Sequence, residues 1–254
     1  MVERKRYEPG TPSWVDLTTI NLDPAKAFYG GLFNWEFDTG PAEYGYYTMC
    51  RKQGRNVAGM MPRQPDQDTP PTWNTYLATD NVDATVQTAR EAGATITVEP
   101  MDIMDQGRMA YLIDPTGAPI GLWQSRAHAG AELVAEPDTM VWNELHTPDA
   151  AAADAFYRRL FPYQLDQVGD GEDFDYAVFR IGQDQVAGRM RATADMPPHW
   201  MPYFAVEDVD KVAQRVGEQA GTVLNGPMDS PYGRLAPCRD PWGADFAIIT
   251  PPQG

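Results

Sequence analysis

The sequence predicts an α+β fold: two tandem modules, each built from two units of the pattern strand, helix, then strands, with helices outside mixed sheets. Three observations predict it. The chain repeats itself, because Trp14-Val-Asp-Leu-Thr-Thr with Ala27-Phe28-Tyr29 and Leu32-Phe33 returns 128 positions later as Trp142-Asn-Glu-Leu-His-Thr with Ala155-Phe156-Tyr157 and Leu160-Phe161. The offset stays near 127 in Val57-Ala-Gly-Met and Val186-Ala-Gly-Arg, in Pro100-Met-Asp and Pro227-Met-Asp, in Gly107-Arg108 and Gly233-Arg234, and in Asp114-Pro-Thr-Gly and Asp240-Pro-Trp-Gly, so the fold is read once and doubled. Each copy then divides again, since four strand-like segments open around a tryptophan (Trp14, Trp73, Trp142, Trp200) and each runs through a short turn into a helical stretch.

The first helix is predicted over Asp23–Phe33, where Ala27, Phe28, Leu32 and Phe33 fall on one face and Asp23-Pro24 reads as a cap with proline at the first helical position. The second is predicted over Asp83–Ala92, stopping at Gly93. Their counterparts are Ala150–Leu160 and Asp208–Gln219. Strands of the first copy are predicted at Tyr46–Arg51, Asn56–Met60, Thr95–Val98, Met109–Ile113 and Pro119–Trp123. Residues 1–126 form the first module, 127–138 a polar linker and 139–254 the second module.

Composition narrows the function classes. Hydrophobic residues at 43% and charged residues at 22% are ordinary for a soluble globular protein. No apolar run approaches the roughly 18–20 residues that span a bilayer, and the basic start Met1–Tyr7 has no apolar stretch behind it. Two cysteines at unrelated positions, Cys50 and Cys238, argue against a disulfide framework and for a reducing, cytoplasmic setting. A net charge of −16 disfavours nucleic acid and anionic membrane as partners. It serves solubility, or steers a cationic ligand. No phosphate-binding glycine loop and no Gly-x-Ser-x-Gly elbow occurs, which argues against phosphoryl transfer, dinucleotide redox and serine hydrolysis.

Gly10-Thr-Pro-Ser-Trp-Val-Asp-Leu, Trp73-Asn-Thr-Tyr, Gly107-Arg-Met-Ala, Asp114-Pro-Thr-Gly-Ala and Trp142-Asn-Glu-Leu together resemble the vicinal oxygen chelate superfamily. That superfamily holds glyoxalase I, the bleomycin-resistance proteins and the extradiol dioxygenases, and the likeness is greatest to its two-module actinobacterial glyoxalase-like branch. The resemblance covers about residues 11–250. It implies four βαβββ units curled into two half-open barrels, each with a divalent metal on its concave face. Carried onto this sequence, the family's ligand places fall on Trp14, Gly59, Asn74 and Gly121, and on Trp142, Gly188, Met201 and Ala247. None of the eight offers an imidazole or a carboxylate, so no metal cofactor is expected.

Strand alternation names what lines the clefts instead. Trp14, Asp16 and Tyr76 share one concave face with Asn74, and Trp142, Glu144 and Tyr203 share the other with Met201 and His199. Met101, Arg108, Trp123, Met228, Arg234 and Phe246 are expected at rims or walls. The tryptophans and tyrosines are equally readable as core. Asp16 and Glu144 are either neutralised by Arg108 and Arg234, or accept hydrogen bonds from ligand hydroxyls, or serve as proton shuttles with Tyr76 and Tyr203 as acids. A metal held by Glu144, His146 and His199 is a further alternative; otherwise His146 caps a strand end and His199 lies on the surface. His128, in the linker, is assigned no role.

The expected function is metal-free binding of a bulky, mostly apolar aromatic molecule, an antibiotic or polyketide-like metabolite, for resistance, sequestration or support of a biosynthetic enzyme. A metal-independent isomerase, cyclase or lyase is one alternative, and a glyoxalase-type metal-dependent lyase or oxygenase is another.

Overall fold

The computed structural model describes residues 2–64, 69–169, 171 and 174–252. A short strand β1 (Val2–Glu3) precedes the first unit, which contains β2 (Pro12–Thr19), helix α1 (Leu22–Phe33), β3 (Glu36–Thr39), β4 (Thr48–Lys52) and β5 (Arg55–Pro62). The second unit contains β6 (Thr72–Ala78), α2 (Val82–Glu91), β7 (Thr95–Ile103), β8 (Gly107–Ile113) and β9 (Pro119–Ser125). After β10 (Leu133–Val134) the pattern returns as β11 (Met140–Thr147), α3 (Ala150–Leu160), β12 (Gln164–Val168), β13 (Tyr176–Ile181) and β14 (Asp184–Arg191). The last unit is β15 (His199–Ala205), α4 (Val209–Glu218), β16 (Thr222–Val223), β17 (Met228–Ser230), β18 (Gly233–Arg239) and β19 (Asp245–Thr250). Four βαβββ units thus make two sheet-dominated modules, with β17 added to the last.

Each module is one mixed sheet. Its order is β3-β4-β5-β2-β6-β9-β8-β7 in the first module and β12-β13-β14-β11-β15-β19-β18-β16 in the second, with β17 paired to β18. The units meet where β2 pairs antiparallel with β6, and β11 with β15, so each module's centre is made by the opening strands of its two units. The helices lie on the convex side, α1 beside α4 and α2 beside α3, which puts a helix of one module against a helix of the other.

Helix α1 starts at Leu22 rather than at the expected Asp23-Pro24 cap. Asn21 takes the cap position in an extended conformation without a side-chain bond, and Asp23 sits in the first turn, where its charge complements the helix dipole. The other three helices are capped by side chains: Asn81, Asp149 and Asp208 accept from the backbone N–H of Ala84, Ala152 and Lys211. The apolar face of α1 (Phe28, Tyr29, Leu32, Phe33) is buried, and each such side chain stabilises by about 1.5–3 kcal/mol. It packs against rings of both modules: Tyr29 lies 5.3 Å from Trp73 of its own module and 5.5 Å from Phe246 of the other, and Phe33 lies 5.0 Å from Phe204 of the other.

Segment 127–138 does more than connect. Its Leu133–Val134 strand pairs antiparallel with Val2–Glu3, Ala131 N–H donates to the Ser13 carbonyl, and the Tyr7 hydroxyl donates to the Ala131 carbonyl at 2.6 Å. It is therefore held on both sides by the first module and the N-terminal arm.

Candidate functional site

The concave faces are set by register. Asp16 pairs with Gly59 on β5 and with Asn74 on β6, and Glu144 pairs with Gly188 on β14 and with Met201 on β15. The floor rows are therefore Gly59–Asp16–Asn74 and Gly188–Glu144–Met201. This corrects the sequence assignment, which placed Trp14 and Trp142 at that level; the tryptophans lie one step along the strand, level with Tyr76 and Tyr203. A carboxylate thus does stand in each floor row.

In the first module that carboxylate is satisfied from within. Asn74 Nδ2 donates to Asp16 Oδ1 at 2.8 Å and the Tyr47 hydroxyl to Oδ2 at 3.1 Å. Trp14 Nε1 donates to the Tyr47 hydroxyl at 2.7 Å, and the Tyr111 hydroxyl to Asn74 Oδ1 at 2.7 Å. Burial pushes Asp16 up to about 6 against these hydrogen bonds. His128 closes this end of the cleft. Its ring lies edge-on to Trp14 at 4.5 Å and near Trp123 at 5.7 Å, and Trp123 Nε1 donates to its carbonyl. The linker histidine, expected to be idle, is buried there, and burial drives it down to about 4.

In the second module the same frame is open. Trp142 Nε1 donates to the Tyr176 hydroxyl at 3.0 Å, as Trp14 does to Tyr47, and the Tyr203 hydroxyl donates to Glu144 Oε1 at 2.9 Å. Two replacements remove material, Tyr111 becoming Pro237 and Trp123 becoming Ile249, while Asn74 becomes Met201 and exchanges an amide for a thioether. A cavity of about 490 Å³ results, walled by Trp142, Glu144, His146, Tyr176, Met201 and Tyr203, with Met190, Met228, Tyr232, Leu235, Pro237 and Ile249 around them.

Glu144, His146 and His199 do come together. His146 Nε2 is 2.8 Å from Glu144 Oε1, but off the axis of a ring N–H bond, so the approach is a close contact rather than a hydrogen bond. The two imidazoles stack face to face at 4.9 Å and 11°, and His199 Nδ1 is 2.9 Å from the Pro197 carbonyl. Stacked rings direct their in-plane nitrogen lone pairs side by side rather than at a common point. Among the described residues no group of three or more His, Cys, Asp or Glu side chains is arranged to hold a metal ion. The floor rows also fit a divalent ion poorly. Each offers one carboxylate already engaged by hydrogen bonds, beside glycine and an amide or thioether, and a Cβ at Gly59 or Gly188 would collide with the Tyr47 or Tyr176 hydroxyl.

Other sequence-predicted wall residues lie elsewhere. Arg108 is paired with Asp83 and Asp102, and Arg234 with Asp210 and Asp229, both on the convex, helix side, so neither neutralises Asp16 or Glu144. Phe246 is fully buried in the core beneath the helices, because alternation turns it away from its cleft-facing neighbour Ala247. Met101 is 46% exposed on β7, at the edge of the first sheet. His199 is half-buried against His146 rather than on the open surface. Sequence reasoning missed Tyr47, Tyr176, Tyr111 and Tyr232. The first two were detectable, since they repeat at the same 129-residue offset as Val57 and Val186.

Comparison with known proteins gives a consistent picture. The sequence pattern of the Glyoxalase/Bleomycin resistance protein/Dioxygenase superfamily matches residues 11–122 and again 139–248. CFP32 of Mycobacterium tuberculosis (strain CDC 1551 / Oshkosh) is 40% identical over 257 residues, covering 99% of this chain and 98% of its own. The anthracycline biosynthesis protein DauV of Streptomyces sp. (strain C5) is 33% identical over 261 residues, 96% of this chain and 94% of its own. Among solved structures, the 2,3-dioxygenase LapB from Pseudomonas sp. KL28 superposes with a TM-score of 0.69 at 13% identity, covering 97% of this chain and 94% of that one, a likeness of fold.

Proposed function

Given that the chain belongs to the glyoxalase/bleomycin resistance protein/dioxygenase superfamily, we propose that its second module binds a bulky, mostly apolar aromatic small molecule without a metal. The ligand class is an antibiotic or polyketide-like metabolite, held for resistance, sequestration or support of a biosynthetic enzyme. One observation carries this reading: the cavity of about 490 Å³ opens where the first module is filled, and its walls are aromatic rings, thioethers and prolines around a single carboxylate. Similarity to a protein named for anthracycline biosynthesis supports the choice of ligand class.

The test is a titration of chelator-treated and untreated protein with a panel of polycyclic aromatic natural products, anthracyclines included, followed by tryptophan fluorescence. Trp142 is then quenched equally in both preparations. Silence across the panel sinks the reading, and binding that vanishes with a stoichiometric metal sinks its metal-free part.

Glu144 beside His146 and Tyr203 favours a second reading, metal-independent proton transfer on the bound ligand. It requires catalysed exchange of an acidic ligand C–H with deuterated water, read by NMR. A bound ligand that shows no such exchange removes this reading and leaves the first.

A further inference from the structure

The charge lining the second cavity is one-sided. Among the described residues its walls contain no lysine and no arginine, and the only carboxylate is Glu144, 6% exposed at the floor. The arginines next to wall residues along the chain are engaged elsewhere: Arg234, beside Leu235, is locked onto Asp210 and Asp229 on the opposite face of β18, and Arg189 and Arg191, on either side of Met190, pair with Asp154 and Asp175. The groups facing Glu144 are the hydroxyls of Tyr203 and Tyr176 and the imidazole of His146. His199, stacked on His146, is itself pushed toward its neutral form by burial. A buried carboxylate without a permanent counter-ion is an expensive thing to keep unless a ligand supplies the missing charge.

The rings point the same way. Trp142, Tyr176, Tyr203 and Tyr232 line one cavity with that carboxylate. Aromatic faces carry negative quadrupole charge and attract ammonium groups most strongly where water is displaced. The whole chain adds a long-range term, because 36 acidic against 20 basic side chains leave a net −16 that draws cations in and turns anions away.

We propose that the ligand of the second cleft is an aromatic molecule carrying a protonated amine, with the ammonium seated between Glu144 and the surrounding rings. This rests on the binding role proposed above and narrows its ligand class.

Three anthracene probes of matched shape test it: the 9-methylammonium, the 9-methanol and the 9-carboxylate, titrated at neutral pH and low salt by calorimetry and tryptophan quenching. The ammonium binds about 10- to 100-fold tighter than the alcohol, the value of a charged over a neutral hydrogen-bonded contact, and the carboxylate binds weakest. In Glu144→Gln the ammonium-to-alcohol ratio falls toward one. Equal or tighter binding of the alcohol by the unmodified protein overturns the proposal, as does a ratio that survives Glu144→Gln. Should that variant fail to fold, as judged by circular dichroism, the ranking in the unmodified protein decides alone. Binding of the alcohol without preference for the ammonium sinks this inference only; binding of none of the three counts against the aromatic cleft itself and takes this inference with it.

Discussion

The Tyr29 hydroxyl of the first module donates to the Asp240 carboxylate of the second at 3.0 Å. Its mirror is Tyr157 of the second module, donating to Asp114 of the first at 2.9 Å. Each hydroxyl also accepts from a tryptophan, Trp73 or Trp200. The other oxygen of each aspartate organises its own turn, Asp114 through Thr116 and Ala118, Asp240 through Trp242, Gly243 and Ala244. The recurring Phe-Tyr and Asp-Pro-x-Gly signatures are thus the two halves of a latch closed across the modules, remote from either cleft.

Tyr29→Phe and Tyr157→Phe each leave a buried carboxylate oxygen short of a donor. Each costs about 1–3 kcal/mol in urea unfolding, and the pair adds, since the sites share no partner. A change under about 0.3 kcal/mol in both single variants would show that the latch does not hold the modules together.

Two buried titrating groups give opposite pH responses. Asp16, pushed up to about 6 by burial, keeps its proton in the folded chain over a range where the unfolded chain, near 3.9, has lost it. Stability therefore falls as pH rises from about 4 to 6, by on the order of 3 kcal/mol. His128, pushed down to about 4, stays neutral when folded while the unfolded chain protonates near 6.5. Its contribution is complete above about 6.5 and is lost as pH falls toward 4, with similar size. Against the unmodified protein, Asp16→Asn gains stability between pH 4 and 7, and His128→Gln gains it between pH 7 and 4.5. Denaturant midpoints across that range check both signs.

Arg189, buried on β14, pairs with Asp154 at 2.9 Å and also with Asp175. Met60 holds the equivalent place in the first module, so methionine fits the backbone there. Arg189→Met nevertheless costs about 3 kcal/mol, because two carboxylates lose their buried counter-charge. A neutral result in thermal or urea unfolding would mean that both carboxylates are wetter than their burial implies.

Ile249→Trp installs in the second module the residue that helps fill the first at Trp123. Aromatic ligand binding drops at least about 30-fold by calorimetry, as the ring takes cavity volume, while stability changes by no more than about 1–3 kcal/mol. Unchanged affinity would place the ligand elsewhere.

Much of the fold was legible because duplication supplies its own alignment: one strand–helix period, found once, locates the others. Alternation likewise placed Trp142, Glu144, Met201 and Tyr203 on one concave face, where the structure has them. It could not show which charges stand opposite. Arg108 and Arg234 lie one residue from cleft-facing Met109 and Leu235, and only the position of α2 and α4, with Asp83 and Asp210, decides their partners. Which cleft is filled was only half legible: the repeat sets Tyr111 against Pro237 and Trp123 against Ile249, but His128 is a lone histidine in a segment without periodicity whose place is fixed by contacts distant in sequence.

The N-terminal arm has a practical bearing through its pairing with the linker. Val2–Glu3 and Tyr7 fasten the segment that holds His128 against Trp14. Trimming those leading residues, a habitual step in preparing crystals, would unfasten the stopper of the first barrel. A shortened version then displays an artificial second hollow, and small-molecule stoichiometries measured on it would misrepresent the untrimmed chain.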